Sequence, residues 1–238
     1  MKQEEIWDKL AEQWNIFRPI PQPVIYSFLD KYTKNAGRIV DLGCGNARNL
    51  IPFKNFICYG VDFSKKMLEK AKLTSEKYNL DLKLYKADLT ELPFKDNSFD
   101  YALMLASLHH LETKESRIKS LEELHRILKK DGIALITVWN KWQLKFLFIK
   151  KNTYIPWKIK DKIYYRYYHL FNYFELKSLL KKLNFKILES RIDKGNIIFD
   201  GLISELISHS AEEKIIKVYL SREVDVKKFE EIGKIISV

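Results

Sequence analysis

Ile39-Val40-Asp41-Leu42-Gly43-Cys44-Gly45-Asn46-Ala47 runs β-branched residues into an acid and then into a glycine-rich turn. A strand that ends this way and feeds a helix, here expected over 46–54, is built to hold a nucleotide-like ligand. Its glycines admit the ligand close to the backbone, and the helix start offers unbonded N–H groups. Alone the turn says little, but two further stretches repeat the pattern of an apolar or aromatic run ending in an acid: Tyr59-Gly60-Val61-Asp62 and Tyr85-Lys86-Ala87-Asp88-Leu89. An acid after a second strand suits a ribose diol, because one carboxylate accepts from both hydroxyls. An acid after a third strand can accept from an adenine amino group. No Gly-Lys-Ser/Thr phosphate loop occurs, which points to a ligand with an adenosine but no phosphate chain.

Outward from this stretch the chain alternates. Residues 2–15 read as an amphipathic helix with Ile6, Leu10 and Trp14 inward; Arg18-Pro19-Ile20-Pro21-Gln22-Pro23 breaks it, and Val24 to Tyr32 restart a helix. Strands are expected at 38–42, 57–61, 82–86, 99–105 and 133–139. Between them lie a helix capped by Ser64 and a helix over 114–130 that Gly132 follows. Such alternation specifies an α/β fold with a mostly parallel sheet and helices on both faces, its ligand outside the carboxyl ends of the strands. A helix over 176–183 and a hairpin of 185–192 with 197–199 complete the domain, drawn at 1–200. The extension 201–238 has no assigned role, though Asp225 can cap a short helix with Phe229 and Ile232 inward.

Charge is uneven. The 238 residues carry a net charge of +11, and the segment 141–191 holds 13 Lys or Arg against only Asp161, Glu175 and Glu189. Between Trp142 and Phe174 lie 12 aromatic residues. Cations that track phosphates, interleaved with rings on which unstacked bases lie, suit single-stranded nucleic acid. The region 141–174 is therefore read as a basic aromatic substrate-binding insertion. Hydrophobic residues make up 46%, which excludes general disorder. No apolar stretch reaches membrane-spanning length, and Met1-Lys2-Gln3-Glu4-Glu5 is no signal peptide, so no membrane contact and a cytoplasmic location are expected. Cys44 and Cys58 make no disulfide framework, and Cys44 reads as a small packing residue rather than a nucleophile.

Two further clusters are suited to chemistry. Ala106-Ser107-Leu108-His109-His110-Leu111 puts adjacent histidines at a strand's carboxyl end, of which strand geometry lets one face the site while the other packs. No other His or Cys has metal-ligand spacing to them, so no metal is expected. Tyr164-Tyr165-Arg166-Tyr167-Tyr168-His169-Leu170-Phe171 sets an Arg, able to clamp a carboxylate or phosphate, among rings.

Asp41-Leu42-Gly43-Cys44-Gly45, Asp62, Asp88 and Leu92-Pro93-Phe94-Lys95-Asp96-Asn97-Ser98-Phe99-Asp100 resemble the class I S-adenosylmethionine-dependent methyltransferases, with Ala47 where many members have a third glycine. The resemblance implies their Rossmann-like, seven-stranded fold and S-adenosylmethionine as cofactor. It implies a cofactor site of Asp41, Gly43, Cys44, Gly45, Asn46, Asp62, Phe63, Asp88, Leu89 and Ala106. Leu108-His109-His110, Arg117 to Lys129, Ala134 to Trp139 and above all Arg166-Tyr167-Tyr168-His169-Leu170-Phe171 narrow it to the tRNA wobble-uridine carboxymethyl methyltransferases, over roughly residues 4–200. That family esterifies the carboxylate of 5-carboxymethyluridine. By resemblance Arg18, His109, His110, Arg166 and His169 would be catalytic, tRNA the substrate, and a small zinc-binding activator subunit a partner at the edge strand Leu82-Lys83-Leu84-Tyr85. An ionised carboxylate needs placement rather than a strong base, which an orienting set of Arg, His and Tyr supplies. The competing reading is a methyltransferase for a small quinone or lipid-like acceptor, which needs no such basic segment. A non-catalytic RNA-binding protein that keeps the fold is a third, opposed by intact Asp62 and Asp88.

Overall fold

The computed structural model describes residues 1–34, 36–193, 195–204 and 213–217. Five strands alternate with helical connections: β1 (Arg38–Leu42), β2 (Ile57–Asp62), β3 (Leu82–Lys86), β4 (Phe99–Leu105) and β5 (Leu128–Trp139). They pair in parallel, β1 between β2 and β4, β3 outside β2, and β5 outside β4. After the β-hairpin-like ribbon described below, β8 (Lys186–Asp193) and β9 (Asn196–Ser204) pair antiparallel, and β9 also lies antiparallel on β5. A further strand, β10 (Glu213–Lys217), pairs with β9, so the seven-strand path runs β10-β9-β5-β4-β1-β2-β3 with β8 beside β9. The expected mostly parallel sheet is present. The domain edge drawn at residue 200 falls inside β9, and the helix expected at Asp225 lies outside the described residues.

Period-two alternation divides the core. Val40, Leu42, Ala102, Met104 and Ile136 face one layer with α4 (Lys114–Ile127) and α5 (Tyr173–Lys182). Ile39, Leu103, Leu105 and Leu135 face the other with α2 (Val24–Tyr32). Both sides of the central strands β1, β4 and β5 are apolar, as a sheet covered on two faces requires. Helix α1 (Gln3–Phe17) packs on α3 (Lys65–Tyr78), whose cap is Ser64: its Oγ accepts the Met67 N–H at 3.1 Å. The same hydroxyl donates to Asp8 Oδ1 at 2.6 Å, tying α1 over the carboxyl end of β2.

Two connections differ from expectation. No helix spans 46–54; a single 3-10 turn, Arg48–Leu50, follows the glycine loop. Ala47 takes a left-handed φ of 57° just before it, and Pro52 just after it supplies no N–H to continue a helix. Helix α4 stops at Ile127 rather than 130, and the backbone enters β5 at once, with the left-handed residue being Asp131 rather than Gly132. Gly132 is required by close approach instead, since a Cβ there would lie 2.9 Å from the Lys129 carbonyl.

The segment expected as a basic aromatic insertion forms a ribbon of its own: β6 (Asn152–Ile159) pairs antiparallel with β7 (Lys162–His169), separate from the main sheet. Its 12 aromatics divide. Phe146, Tyr167, Tyr168, Phe171 and Tyr173 are buried in packing, while Trp142, Phe148, Tyr154, Tyr165 and Phe174 are exposed. Among the described residues no helix is long and apolar enough to cross a membrane.

Asp41 closes the top of β1 and is buried with no hydrogen-bond partner among the described residues for either oxygen. Burial, reinforced by the nearby Asp62 carboxylate, pushes its carboxyl up to about 7. Between the ordinary carboxylate range and that value the folded chain holds a proton that the unfolded chain has lost, so this residue's contribution to stability falls as pH rises. The Asp41→Asn protein should therefore gain thermal stability relative to the unsubstituted chain as pH goes from about 5 to about 8. Differential scanning fluorimetry without cofactor measures it; a pH-independent difference would show that Asp41 ionises normally.

Candidate active site

The carboxyl ends of β1, β2 and β4 open into a cavity of about 700 Å³, roofed by α1 and the β6–β7 ribbon. That size suits a ligand of several hundred daltons. Its first half is lined by Gly43, Cys44, Gly45, Asn46, Asp62, Phe63, Asp88, Leu89 and Ala106. Nine of the ten residues expected to hold the cofactor thus come together; Asp41 does not line the cavity and lies behind the loop.

The glycine loop is held from within. The N–H groups of Gly43 and Cys44 both donate to the Val61 carbonyl, at 2.8 and 2.9 Å, and that of Ala47 to the Cys44 carbonyl at 2.8 Å. The Gly45 N–H donates to Asp62 Oδ2 at 2.9 Å, and the Ser64 N–H to Oδ1 at 2.9 Å. These amides are spent, and no long helix follows, so the loop is no phosphate cradle of the helix N-terminus kind. Gly43 is needed for another reason: at its φ of 79° a Cβ would fall 2.5 Å from the Ser107 side chain. Burial pushes the Asp62 carboxyl up to about 6, against the pull of its two backbone donors. It is still mainly ionised at neutral pH, and each oxygen keeps a lone pair for a diol. Asp88 is exposed, with its Oδ1 receiving the Thr90 N–H at 2.8 Å and hydroxyl at 2.7 Å. Burial raises the Cys44 thiol well above its ordinary range, which suits packing and not nucleophilic attack. A phosphate-free adenosine with a flexible tail fits this half: two acids spaced for sugar and base, and a spent loop.

The second half is lined by Trp7, Arg18, His109, His110, Trp157, Arg166 and Tyr168. His109 and His110 both face it. They sit in a 3-10 turn, Leu108–His110, not in a strand, so neighbouring side chains need not point to opposite sides. The Trp139 N–H donates to His109 Nδ1 at 3.2 Å, which leaves the ring proton on Nε2. His110 Nδ1 lies 2.9 Å from the Tyr167 carbonyl and must carry the proton there. Burial drives the His109 pKa well down and His110 to about 3, so both are neutral.

Arg166 is buried at 4% exposure and boxed by rings: its guanidinium carbon lies 4.7 Å from the Trp157 centroid, 5.2 Å from Tyr168 and 5.7 Å from Trp7. Its Nη1 donates to the Tyr168 hydroxyl at 2.8 Å, and no ion pair reaches it among the described residues. Tyr168 in turn stacks on His109 at 5.0 Å and on Trp139 at 4.5 Å. Sequence reasoning missed Tyr168, Trp7 and Trp157. Alternation along β7 signals the first, since Tyr168 is two residues from Arg166 and must share its face. The same alternation removes His169 from the site. Its Nδ1 meets Asn152 Oδ1 at 2.6 Å and its Nε2 meets Glu175 Oε1 at 3.0 Å, a buried tie between the ribbon and α5. Arg18 lies over Trp14 at 5.7 Å at the exposed rim.

Comparison with known proteins agrees with this geometry. Residues 40–136 match the family described as "Methyltransferase domain". A protein of Encephalitozoon cuniculi named as a methyltransferase is 32% identical over 178 residues, covering 71% of this chain and 80% of that protein. The tRNA (carboxymethyluridine(34)-5-O)-methyltransferase of Schizosaccharomyces pombe is 29% identical, with 81% and 92% covered. That of Xenopus tropicalis is 26% identical over 81% of this chain, which spans only 39% of the Xenopus protein. An S-adenosylmethionine-dependent methyltransferase of Clostridium acetobutylicum shares the fold at a TM-score of 0.64 and 14% identity, over 89% of this chain and 98% of its own. The chain belongs to the class I S-adenosylmethionine-dependent methyltransferases, an enzyme whose cofactor is S-adenosylmethionine, and it is similar in sequence to tRNA carboxymethyluridine methyltransferases.

Proposed function

We propose that this enzyme methylates a carboxylate, that of 5-carboxymethyluridine at the wobble position of tRNA. One observation carries the reading. Trp7 Nε1, His109 Nε2 and Arg166 Nε belong to side chains lining the acceptor half, are shielded from water, and have no acceptor among the described residues. Buried donors without acceptors are costly. A wall of N–H groups around an unpaired guanidinium is complementary to an anion. The names of the relatives from Schizosaccharomyces pombe and Xenopus tropicalis supply the nucleotide.

The chemistry asks little of the protein beyond placement. S-adenosylmethionine supplies a methyl group on a sulfonium, and a carboxylate is already ionised at neutral pH. Neutral His109 and His110 fit this, since no base is required. On this reading Arg166 holds the carboxylate, His109 Nε2 donates to it, and Arg18 at the rim draws the anion in. Asp62 receives the ribose hydroxyls and Asp88 the adenine amino group. The ring-lined roof excludes the water that would compete for the methyl group. As a second partner we propose the small activator subunit, pairing with β3; that strand is an edge of the sheet, and an edge offers unpaired backbone groups. Full activity of the isolated chain, with no small partner co-purifying from the native host, would remove it.

Asp62→Ala should weaken S-adenosylmethionine binding tenfold or more, since losing a charged acceptor costs about 1.5–3 kcal/mol; calorimetry giving an unchanged Kd would remove Asp62 from the site. Arg166→Ala should lower turnover by roughly a hundredfold while leaving cofactor affinity near its native value, and Arg166→Lys should recover little, because an ammonium has no planar fork. Single-turnover methylation of tRNA carrying 5-carboxymethyluridine, beside the same tRNA with plain uridine, is the deciding measurement. Equal transfer to both would mean that no carboxylate is recognised.

A further inference from the structure

The ribbon that roofs the cavity has two faces, and the reaction uses only one. Its inner face carries Ile155, Trp157, Tyr164, Arg166 and Tyr168, toward α1 and the cavity. On the outer face the strand register sets Tyr154 opposite Tyr167, Pro156 opposite Tyr165, and Lys158 opposite Ile163. The base of that face is packed: Tyr167 is buried and its hydroxyl donates to the Glu112 carbonyl at 2.9 Å. The rest is open. Tyr154 is 55% exposed, Tyr165 53% and Ile163 53%, and Pro156 and Lys158 are exposed beside them. Tyr154 and Tyr165 are diagonal neighbours across the strands on this face, and Tyr154 meets the Tyr167 ring edge-on at 5.7 Å. Tyr154 and Tyr165 remain more than half exposed on a ribbon that already has a buried face.

We propose that this outer face stacks unpaired bases of the RNA that carries the acceptor, a proposal that rests on the reading of the substrate as tRNA. Charge selects the occupant. Residues 132–160 contain six lysines and not one acid, and Lys158, Lys160 and Lys162 crowd the turn of the ribbon against the single Asp161. A polyanion is complementary to that tip, and rings next to it accept bases of any sequence by their faces. The patch is not that of a lipid-inserting surface, since Ile163 is the one aliphatic side chain among tyrosines, proline and lysine. Position completes the argument. Tyr165 and Arg166 are consecutive on β7 and point to opposite sides, so a base on the outer face lies one strand's thickness from the buried guanidinium. A nucleotide neighbouring the acceptor is thereby bound by the same strand that orients the carboxylate. The ribbon is pinned for this double use: Trp157 Nε1 donates to Gln13 Oε1 at 2.8 Å and the Tyr167 N–H to Gln3 Oε1 at 3.1 Å, both on α1.

The test uses Tyr154→Thr and Tyr165→Thr, which keep strand propensity while removing the rings. Unchanged calorimetric affinity for S-adenosylmethionine certifies the fold. Fluorescence anisotropy with an anticodon stem-loop RNA should show Kd rising about tenfold for each substitution, with the salt dependence of binding kept, since the lysines remain. Transfer to 5-carboxymethyluridine 5′-monophosphate should be unaffected, while kcat/KM on the stem-loop carrying that nucleoside falls with the affinity. An unchanged Kd for the stem-loop in the double variant overturns the platform, as does tyrosine-dependent binding to phosphatidylserine vesicles without any effect on RNA. RNA binding that needs the tyrosines, with no transfer to either substrate, would keep the platform and sink the carboxyl-methylation reading. Transfer to both substrates with no tyrosine effect would do the reverse.

Discussion

A guanidinium buried with no carboxylate beside it among the described residues is the constraint on which the acceptor half depends. Desolvating such a charge is expensive, and proteins ordinarily answer with an acid. Here the answer is aromatic: Trp157, Tyr168 and Trp7 surround Arg166, and the Tyr168 hydroxyl accepts one of its N–H groups. Those rings come from three places, β6, β7 and α1, so the box exists only while the ribbon lies on α1. Gln3 and Gln13 fasten that contact through one backbone and one indole donor. The roof of the cavity and the charge inside it are therefore one structure.

The cofactor half follows a different rule, set by the parallel sheet. Three strands end side by side, and Asp62 uses its two oxygens to hold Gly45 and Ser64, which fixes the loop against the start of α3. Where a phosphate loop leaves its amides free for the ligand, this loop turns them inward. What it offers outward is a surface shaped by glycines and bordered by acids, consistent with a phosphate-free nucleoside and not with a phosphate chain.

The strands and the acids at their ends were legible because each depends on local pattern: β3 and β4 have the expected bounds, and the acids must end strands to reach a ligand. The connection after the glycine loop is not, because Ala47 takes a left-handed turn there and the neighbouring Asn46 amide is tied to Asn15 and the Arg18 carbonyl, far apart in sequence. His169 was misplaced for a related reason. The resemblance puts it with Arg166, but only the inward face of β7, fixed by α1 and the cavity, decides which members of an alternating run can meet the ligand. His109 and His110 are the converse case, since period-two alternation does not hold where the backbone forms a 3-10 turn. The basic aromatic segment was half legible: its charge is visible in the sequence, while the division between buried and exposed rings is a property of the ribbon's two faces.

An acceptor carboxylate poses a particular difficulty for an enzyme. A tight grip on both oxygens would stabilise the ground state more than the transition state, in which the carboxylate's negative charge is being neutralised as one oxygen bonds the methyl group and the sulfonium becomes a neutral thioether, and would slow the reaction. A guanidinium surrounded by three rings, with one N–H taken by the hydroxyl of Tyr168, itself one of those rings, is a directed but moderated partner. It orients the anion through its edge while part of its charge is already engaged by aromatic faces. Neutral imidazoles at His109 and His110 add position without adding charge. The absence of an acid near Arg166 among the described residues and the abundance of rings around it are thus two sides of one requirement: to hold an anion in line without making it too stable to react.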